Sequence, residues 1–244
     1  MSNELKDFFN KRTPQNLEKL KEHLAKKNFV LFFLAKKQAG KGTYAKILRD
    51  ITDEKIIHIS VGDLVLEAEK QANNPKEKDQ LIEDLKKYYK GPSNADKIID
   101  EFIHQSESTN LLPTEAVMAL IEKKVAVYQG KSVIIDGFPR SKEQVALATQ
   151  MQKDFESKGM PSAFVEINCP EEVLLRRYID RRICPICQTP KNIKLLLTKE
   201  IEFDEETGEF HLVCDRPECQ RAHYIQKQGD QDGIEKVKKN QKEV

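Results

Sequence analysis

Four chemically distinct segments, which follow one another in a fixed order, constrain what this chain can fold into more than any other feature. They are AKKQAGKGT at 35–43, HISVGD at 58–63, DGFPR at 136–140 and RRYIDRRICPIC at 176–187. The first comes directly after a continuous apolar run at 29–34, the pattern of a strand buried on both faces. A glycine-rich loop between such a strand and a helix binds anions, because backbone N–H groups and the helix N-terminus point at phosphate. Taken alone, the loop could also be a strand-to-helix turn with a chance Gly-Lys pair.

Apolar runs of strand length alternate with stretches of helical periodicity along most of the chain. Branched and aromatic residues predict buried strands at 29–34, 56–59, 132–136 and 163–168. Helical spacing predicts helices at 43–50, 114–127, 142–158 and 171–182. This alternation predicts the α/β class, with a doubly wound parallel sheet covered by helices on both faces.

Three further segments depart from this alternation. Residues 1–28 are predicted to form a polar amphipathic helix, with Thr13-Pro14 as a cap followed by a first-turn proline. Residues 63–114 are lysine-rich and predicted to be helical, and we expect them to lie at the periphery of the core. Residues 184–221 contain four cysteines, few helix signals and a predicted hairpin turn at Thr207-Gly208.

Charge and composition exclude several classes of function. The formal net charge of +1 provides no field for nucleic acid or membrane surfaces. No apolar run reaches the roughly 18 residues of a membrane-spanning helix, and the N-terminus lacks the layout of a signal peptide. Clustered cysteines indicate metal binding in a reducing compartment rather than a disulfide framework. We therefore expect a cytoplasmic protein that binds neither nucleic acid nor membranes.

Two cysteine pairs predict a structural zinc site. The pairs have the spacings C-x2-C and C-x4-C and consist of Cys184 with Cys187 and Cys214 with Cys219. Four thiolates hold a tetrahedral Zn²⁺ with no open position for catalysis, and such a site replaces the core that a small flap cannot build. Because the second spacing is unusual, Asp215, His211 or His223 could take the place of Cys219, and reduced free thiols are the alternative to zinc. Cys169 is interpreted as a small buried residue at a strand end.

The four segments together resemble the adenylate kinases, a family of nucleoside monophosphate kinases. Residues 40–43 read Gly-Lys-Gly-Thr, as in the phosphate loop of that family, and HISVGD resembles its turn after the second strand. DGFPR, followed by Gln144, is very close to the family's monophosphate-binding signature. The likeness covers about residues 29–239 and implies a P-loop NTPase-like core with inserted monophosphate-binding and zinc-lid subdomains.

The resemblance implies a separate role for each of three charged residues. Lys41 would bridge the transferring phosphates, Arg140 would hold the acceptor phosphate, and Asp136 would orient water on Mg²⁺. Gln144, one turn beyond Arg140, would read the adenine edge through its amide. An ordinary strand-to-helix turn with a surface arginine is the alternative interpretation of DGFPR.

The same resemblance implies which residues contact each substrate. Those assigned to ATP are Gln38, Ala39, Gly40, Lys41, Gly42, Thr43, Arg177 and Arg181. Those assigned to the monophosphate are Ser60, Val61, Gly62, Leu112, Gly137, Phe138, Pro139, Arg140 and Gln144. Those assigned to catalysis are Lys41, Arg140 and Arg181. From their spacing, Arg177 and Arg181 are predicted to share one helix face, although a basic helix face is often only solvated.

The implied organisation is that of a monomer with six segments. They are an N-terminal helical extension at 1–28, a core with the phosphate loop at 29–62, a monophosphate-binding insertion at 63–118, further core at 119–183, a cysteine-rich lid at 184–221 and a C-terminal core helix at 222–244. The implied substrates are ATP and a nucleoside monophosphate, most simply AMP.

Several positions depart from the family pattern. The first glycine of the loop is Ala35, and Gln38 occupies a place where a backbone close to phosphate usually needs a residue without steric cost. Leu66 stands where the family has an arginine that contacts the acceptor phosphate, and Val61 stands where the family has the threonine of the turn. Two further arginines correspond most nearly to Gln228 and Lys239, and the family continues through a last strand beyond the position of Val244.

These departures leave three hypotheses for function. The first is Mg²⁺-dependent transfer of the ATP γ-phosphoryl group to a nucleoside monophosphate, which the charged residues retained in four segments favour. The second is a catalytically weak or inactive nucleotide-binding pseudo-kinase, which the missing arginines favour, since each lost contact costs about 10²-fold or more in rate. The third is a zinc-ribbon nucleic-acid binder, which the near-neutral charge disfavours.

Overall fold

A computed structural model describes residues 11–103, 112–187, 189–194, 198–206, 208–226, 231 and 234–235. The chain divides into two compact units. The first consists of Met1–Ala35 and Gly40–Ile167, and the second of Lys36–Ala39 and Asn168–Val244. The segment at 35–43 is therefore divided between the two units.

The first unit contains a four-stranded parallel sheet, which confirms the predicted fold class. Its strands are β1 (Val30–Leu34), β2 (Ile56–Ser60), β3 (Ser132–Asp136) and β4 (Ser162–Glu166), in the order β2-β3-β1-β4. In the register, Asp136 lies opposite Ser60 on one side and Phe33 on the other. The carboxyl ends of β1, β2 and β3 therefore meet at one edge, where ligands bind in open α/β sheets.

Seven α-helices of the first unit fall within the described residues. They are α1 (Pro14–Lys26), α2 (Lys41–Ile51), α3 (Val61–Ala72), α4 (Pro75–Tyr88), α5 (Ala95–Ile103), α6 (Thr114–Val127) and α7 (Glu143–Ser157). Pro14 is the first residue of α1, as predicted, because its fixed φ suits a first turn. Asn74 caps α4 by accepting a 3.1 Å hydrogen bond from the Lys76 N–H. No described helix is long and apolar enough to cross a membrane.

Successive residues of each central strand pack on opposite faces of the sheet. On β3, Val133 and Ile135 belong to the larger apolar cluster, while Ile134 belongs to a second cluster. The second cluster also contains Leu24 of α1 and Ala45 of α2. Because strand side chains alternate with period two, both faces of the sheet are buried, which confirms the doubly wound arrangement.

Most described residues of the lysine-rich region at 63–114 belong to helices, but its predicted peripheral position is wrong. Helices α3, α4 and α5 contribute buried apolar residues to the same cluster as the sheet: Leu64, Ala68, Ala72, Leu81, Leu85, Ile98, Ile99 and Phe102. These residues recur at helical spacing, so each helix turns one apolar stripe inward and its lysines outward. The high average polarity of the segment conceals these stripes.

Strand β4 was predicted to be buried on both faces, and this prediction is also wrong. Ala163 is exposed and the Val165 residue is 36% exposed, although β4 pairs with β1 along its whole length. Among the described residues β4 lies at the edge of the sheet. An apolar run cannot reveal whether a strand is central or lateral, because both positions favour branched residues.

The second unit contains one helix and two small antiparallel strand pairs. Its elements are α8 (Glu171–Ile179), β5 (Arg181–Ile183), β6 (Pro190–Asn192), β7 (Ile201–Asp204), β8 (Glu209–Leu212) and a 3₁₀ turn at Pro217–Cys219. Strands β7 and β8 form the predicted hairpin, and Gly208 has the left-handed conformation with φ of 69°. Thr207, the other predicted turn residue, lies outside the described residues.

Helix α8 ends three residues before the predicted limit at 182, which corrects the placement of Arg181. Arg177 lies in the last turn of α8, whereas Arg181 begins β5 and pairs with Asn192 of β6. The two arginines therefore do not share a helix face. The helix ends because the next residue, the buried Asp180, has partners outside it. The backbone carbonyl of Asp180 accepts a hydrogen bond from the Ile193 N–H, and its carboxylate forms an ion pair with Lys194, so the chain continues as a strand.

Candidate functional site

The first unit presents an uncapped helix N-terminus beside a lysine ammonium group. Gly40 precedes α2 with a φ of 100°, in the left-handed region that favours glycine. No side chain caps this helix, so its first N–H groups can receive an anion. Lys41, the first helical residue, donates from Nζ to the carbonyl oxygen of Ala35 at 3.0 Å. This arrangement is suited to phosphate.

Three charged groups act on one another at this edge of the sheet. Burial lowers the pKa of Lys41 below its ordinary value of 10.5, the Asp136 carboxylate opposes that decrease, and the Arg140 guanidinium adds to it. Two cations and one carboxylate therefore lie within electrostatic range of one another. A cluster with an excess of positive charge attracts a polyanion.

Asp136 lies at the end of β3 and contacts His58 of β2. Its Oδ2 is 3.4 Å from His58 Nε2, a close contact rather than an aligned hydrogen bond. A Cβ added to Gly42 would lie 3.3 Å from the same Oδ2, so a side chain at that position would crowd the carboxylate. A single carboxylate at a strand end, next to a phosphate loop, fits Mg²⁺, which uses few protein ligands and keeps several waters.

Arg140 is held over two glycines. Its Nε donates to the carbonyl oxygen of Gly137 at 2.7 Å, and its backbone N–H donates to Oε1 of Gln144, also at 2.7 Å. A Cβ on Gly137 would lie 2.9 Å from Arg140 Nη2, and one on Gly62 would lie 3.6 Å from it. The guanidinium thus lies at the start of α3, where Ser60 caps the helix by accepting from the Asp63 N–H.

The other residues predicted for the monophosphate have mixed environments. Val61, Leu112 and Phe138 are buried members of the main apolar cluster, so their side chains pack in the core. The Leu66 residue, which occupies the place of a family arginine, is 51% exposed. Gln228, Lys239 and Val244, at which the sequence departs from the family pattern, lie outside the described residues.

In the second unit, α8 holds three consecutive residues of the loop. Lys36 Nζ lies 2.6 Å from Oε1 of Glu171, the Lys37 ammonium lies 5.9 Å from the centre of the Tyr178 ring, and Arg177 Nη1 donates to the Gln38 carbonyl at 3.0 Å. These contacts come from both ends of the helix and are spread along the loop. They restrain the part of the loop that contains fewest glycines.

Gln38 adopts the backbone conformation that a glycine would supply without cost. Its φ is 71°, and its buried side-chain Nε2 has no hydrogen-bond partner among the described residues. A non-glycine residue in this region costs about 1–2 kcal/mol. The hydrogen bond from Arg177 to the Gln38 carbonyl helps to maintain this conformation.

Four cysteines converge in the second unit as predicted. The Sγ atoms of Cys184, Cys187, Cys214 and Cys219 all lie within 4.8 Å of one another. Zn–S bonds of about 2.3 Å in a tetrahedron give sulfur–sulfur edges of about 3.8 Å, and Cys187 Sγ lies 3.8 Å from Cys214 Sγ. The cluster therefore fits zinc in both ligand type and size. Cys169 lies outside it, and its prediction as a buried residue at a strand end is wrong, because the thiol is half-buried and β4 already ends at Glu166.

Cys187, Cys214 and Cys219 have thiols whose pKa values differ from the ordinary value. Burial alone would raise the pKa of Cys187, but hydrogen bonds with Thr189, Cys219 and Cys184 together outweigh it and lower the pKa to about 6. Burial raises the pKa of both Cys214 and Cys219. A buried thiol of high pKa becomes a thiolate when a metal displaces its proton.

The alternative ligands predicted for the position of Cys219 are occupied elsewhere. Asp215 accepts from the Lys199 N–H at 2.8 Å and contacts Lys191, and these interactions lower the pKa of its carboxyl group. His223 contacts Glu202, while the His211 ring stacks on His223. The geometry thus favours Cys219 itself as the fourth ligand.

Sequence reasoning missed the contacts of His58 and the restraint of the loop by α8. His58 stands in the quoted HISVGD segment, and its position opposite Ile134 follows only from the register of β2 and β3. The ion pair between Lys36 and Glu171 joins residues 135 positions apart. Neither contact has a local sequence signal.

Comparison with known proteins agrees with this geometry. A family model described as an AAA domain matches residues 39–183, more than half of the chain. The adenylate kinase of Thermotoga petrophila is 33% identical over 177 residues, which cover 72% of this chain and 69% of that protein. The chain belongs to the adenylate kinase family.

Two further members of the adenylate kinase family extend the comparison. The adenylate kinase of Fervidobacterium nodosum is 30% identical over 179 residues, covering 73% of this chain and 70% of that protein. The adenylate kinase of Petrotoga mobilis is 27% identical over 215 residues, covering 87% of this chain and 86% of that protein. Membership of the family supports nucleoside monophosphate kinase activity in general terms.

Proposed function

We propose that this adenylate kinase family member transfers the γ-phosphoryl group of ATP to AMP or a related nucleoside monophosphate, in the presence of Mg²⁺. The observation that carries the proposal is the grouping of Lys41, Asp136 and Arg140 at one edge of the sheet. The Asp136 carboxylate lies next to Gly42 at the start of α2, and the Arg140 guanidinium lies next to Gly62 at the start of α3. Phosphoryl transfer requires positioning and charge neutralisation more than covalent chemistry. Two cations and a carboxylate can supply both.

On the donor side, the N-terminus of α2 and the Lys41 ammonium would bind the β- and γ-phosphates. Lys41 is suited to this role because Ala35 holds it at the start of the helix and burial strengthens its charge interactions. The assignment of Arg177 and Arg181 to the ATP phosphates rests on the resemblance to the family. Gln38, Ala39, Gly42 and Thr43 complete the proposed donor site.

On the acceptor side, Arg140 and the first turn of α3 would hold the monophosphate. The guanidinium lies beside Gly62 and Gly137, so two segments without side chains leave room for a phosphate group. A helix N-terminus and a guanidinium both favour an anion. Gln144 uses its carbonyl oxygen within the turn, so contact with an adenine edge would fall to its amide nitrogen.

Two metal ions are proposed with different roles. Mg²⁺, oriented through Asp136, would neutralise charge on the phosphates during transfer. Zn²⁺, held by the four cysteines, would be structural, because four protein ligands leave no open position. The lid at 184–221 would then exclude water from the reacting groups.

A catalytically weak or inactive nucleotide-binding protein is the second candidate. It is favoured by the exposed apolar side chain of Leu66 in place of an acceptor arginine and by Gln38 in the loop. The two candidates differ in turnover and not in fold. Leu66→Arg should therefore raise activity at low AMP, whereas Val145→Arg, at another exposed apolar position, should have no effect.

A coupled assay of ADP formation from ATP with each nucleoside monophosphate tests the proposal directly. Lys41→Ala should abolish transfer and weaken ATP binding, whereas Lys46→Ala, an exposed lysine of the same helix, should change neither. Arg140→Ala should raise KM for the monophosphate and lower kcat while leaving ATP affinity intact. Tight binding of ATP without turnover for any monophosphate would establish the second candidate instead.

The proposal also includes three features predicted from the sequence. They are the division into six segments, a monomeric state and a cytoplasmic location. Sedimentation of the purified protein at several concentrations tests the monomer, since a sedimentation coefficient that rises with concentration would show self-association.

A further inference from the structure

The hairpin of β7 and β8 places two histidines and a carboxylate on one face. Glu202 lies directly opposite His211 in the antiparallel register, so both side chains lie on the same side of the hairpin. Val213, two residues after His211, pairs with His223. Because residues two apart on a strand share a face, His223 joins the same side.

The three side chains are close to one another in space. His223 Nε2 lies 2.6 Å from Glu202 Oε2, and the His211 and His223 rings stack with centroids 5.0 Å apart and an interplanar angle of 1°. The side chains of His211, His223 and Glu202 are 26%, 44% and 37% exposed, so all three are accessible from solvent. Among the described residues only the four cysteine sulfurs converge as a complete ligand set, so these three side chains are neighbours whose ligand atoms do not yet meet at one point.

Neighbouring charges orient the carboxylate toward the histidines. Arg221 contacts Oε1 of Glu202 and both carboxylate oxygens of Glu200, which leaves Oε2 of Glu202 directed at His223. The Arg221 guanidinium would thus orient the Glu202 carboxylate without binding the metal itself, as outer-shell partners of metal-binding carboxylates do. Asp204, whose Oδ2 is 3.8 Å from His211 Nε2, adds negative charge to the same face.

We propose that His223, Glu202 and His211 form a second metal site on the lid hairpin, for a divalent transition ion such as Zn²⁺, Ni²⁺ or Cu²⁺. Imidazole nitrogen and carboxylate oxygen are the ligands that these ions prefer. The ion would displace the proton shared by His223 Nε2 and Glu202 Oε2, and these two atoms, now 2.6 Å apart, would separate to admit it. Rotation of the His211 side chain about its own bonds would supply the third ligand, and water would fill the remaining positions.

Calorimetric titration with Ni²⁺ tests this site in untagged protein whose cysteine cluster has first been loaded with zinc. We expect one Ni²⁺ per chain, without release of the zinc. Loss of an outer-shell partner alone costs about 10- to 100-fold in metal affinity, so His223→Ala and Glu202→Gln should each weaken binding at least tenfold. His23→Ala, which removes an exposed histidine of α1, should leave the affinity unchanged.

A spectroscopic measurement on the unmodified protein covers the case in which a variant misfolds. Paramagnetic Ni²⁺ should broaden the imidazole proton signals of His211 and His223 at substoichiometric concentration and leave those of His23 sharp. Equal broadening of all three, or Ni²⁺ affinity that survives in folded His223→Ala protein with its zinc retained, would overturn the proposal. Absence of Ni²⁺ binding to the zinc-loaded protein would also overturn it. The site does not depend on phosphoryl transfer, so its failure leaves the proposed activity untouched.

Discussion

Nε2 of His58 lies 3.4 Å from Oδ2 of Asp136, and the two side chains are only 9% and 15% exposed. They come from adjacent strands and meet beneath the first turn of α2, where Gly42 leaves space for both. A carboxylate with a buried neighbour on one side has fewer orientations open to it. His58 is thus placed to position Asp136 without touching a substrate itself.

Replacement of His58 should therefore alter the use of Mg²⁺ more than the binding of nucleotide. We expect His58→Leu to raise the Mg²⁺ concentration needed for half-maximal rate by about 10- to 100-fold, as loss of an outer-shell partner does. His58→Gln, which keeps a polar side chain beside Asp136, should lose less. The measurement is the initial rate as a function of Mg²⁺ at saturating ATP. A purely structural role would instead lower thermal stability and leave the Mg²⁺ dependence unchanged.

The charge on Lys41 should respond in opposite directions to its two charged neighbours. Arg140→Leu removes a cation and should raise the pKa of Lys41, whereas Asp136→Asn removes an anion and should lower it further. Because the folded state disfavours the ammonium group, stability should increase as pH rises from the lowered pKa toward 10.5, the ordinary value. Carbon-13 NMR of reductively methylated lysines, in protein loaded with zinc and free of Mg²⁺, measures this pKa. Shifts of the same sign in both variants would contradict the assigned electrostatics.

Gly137 combines a left-handed backbone with close approach of Arg140. Gly137→Ala should cost about 1–2 kcal/mol of stability, and its Cβ should also displace the guanidinium and raise KM for the monophosphate. Gly159→Ala is the matched control, because Gly159 has a φ of 79° but no atom within 4 Å of an added Cβ. Both variants should lower Tm by similar amounts, and only the first should change KM. An equal change in KM for both would show that Arg140 is not held by the glycine.

The cysteine cluster should hold one zinc ion that stabilises the second unit. Cys184→Ser and Cys219→Ser should each lose the metal and expose the segment at 184–221 to protease, because a site without its fourth thiolate binds zinc less tightly. Cys169→Ser and Asp215→Ala should retain it, since neither residue belongs to the cluster. Metal analysis after purification without added zinc provides the measurement. A metal content near zero in the unmodified protein, with all four cluster thiols freely titratable in addition to Cys169, would refute the site.

The central strands and the order of the functional segments could be predicted because their signals are local. An apolar run such as 132–136 predicts β3 with its observed limits, and β3 carries Asp136 to the edge of the sheet. DGFPR and the cysteine pairs could also be recognised, because each consists of a few residues that are close together in the sequence. For these elements, period and spacing contain the information that the fold uses.

The errors arose where a distant partner decides the local structure. Arg181 continues the helical pattern of α8, yet pairing of β5 with β6 converts it to a strand residue. Similarly, no feature of the segment at 36–39 shows that α8 restrains the loop through Glu171, Arg177 and Tyr178. Tertiary contacts override weak local propensities in such places.

The apolar cluster that joins α3, α4 and α5 to the sheet has a consequence for cooperativity. Phe102 and Leu81 are buried in the same cluster as Phe32 and Ile135. Helices α3, α4 and α5 therefore cannot unfold separately at low energetic cost, because their unfolding would expose to water residues that also cover the central strands. Amide hydrogens in α4 and α5 should accordingly exchange through nearly the same global opening as those of β1 and β3, which makes this part of the first unit one foldon.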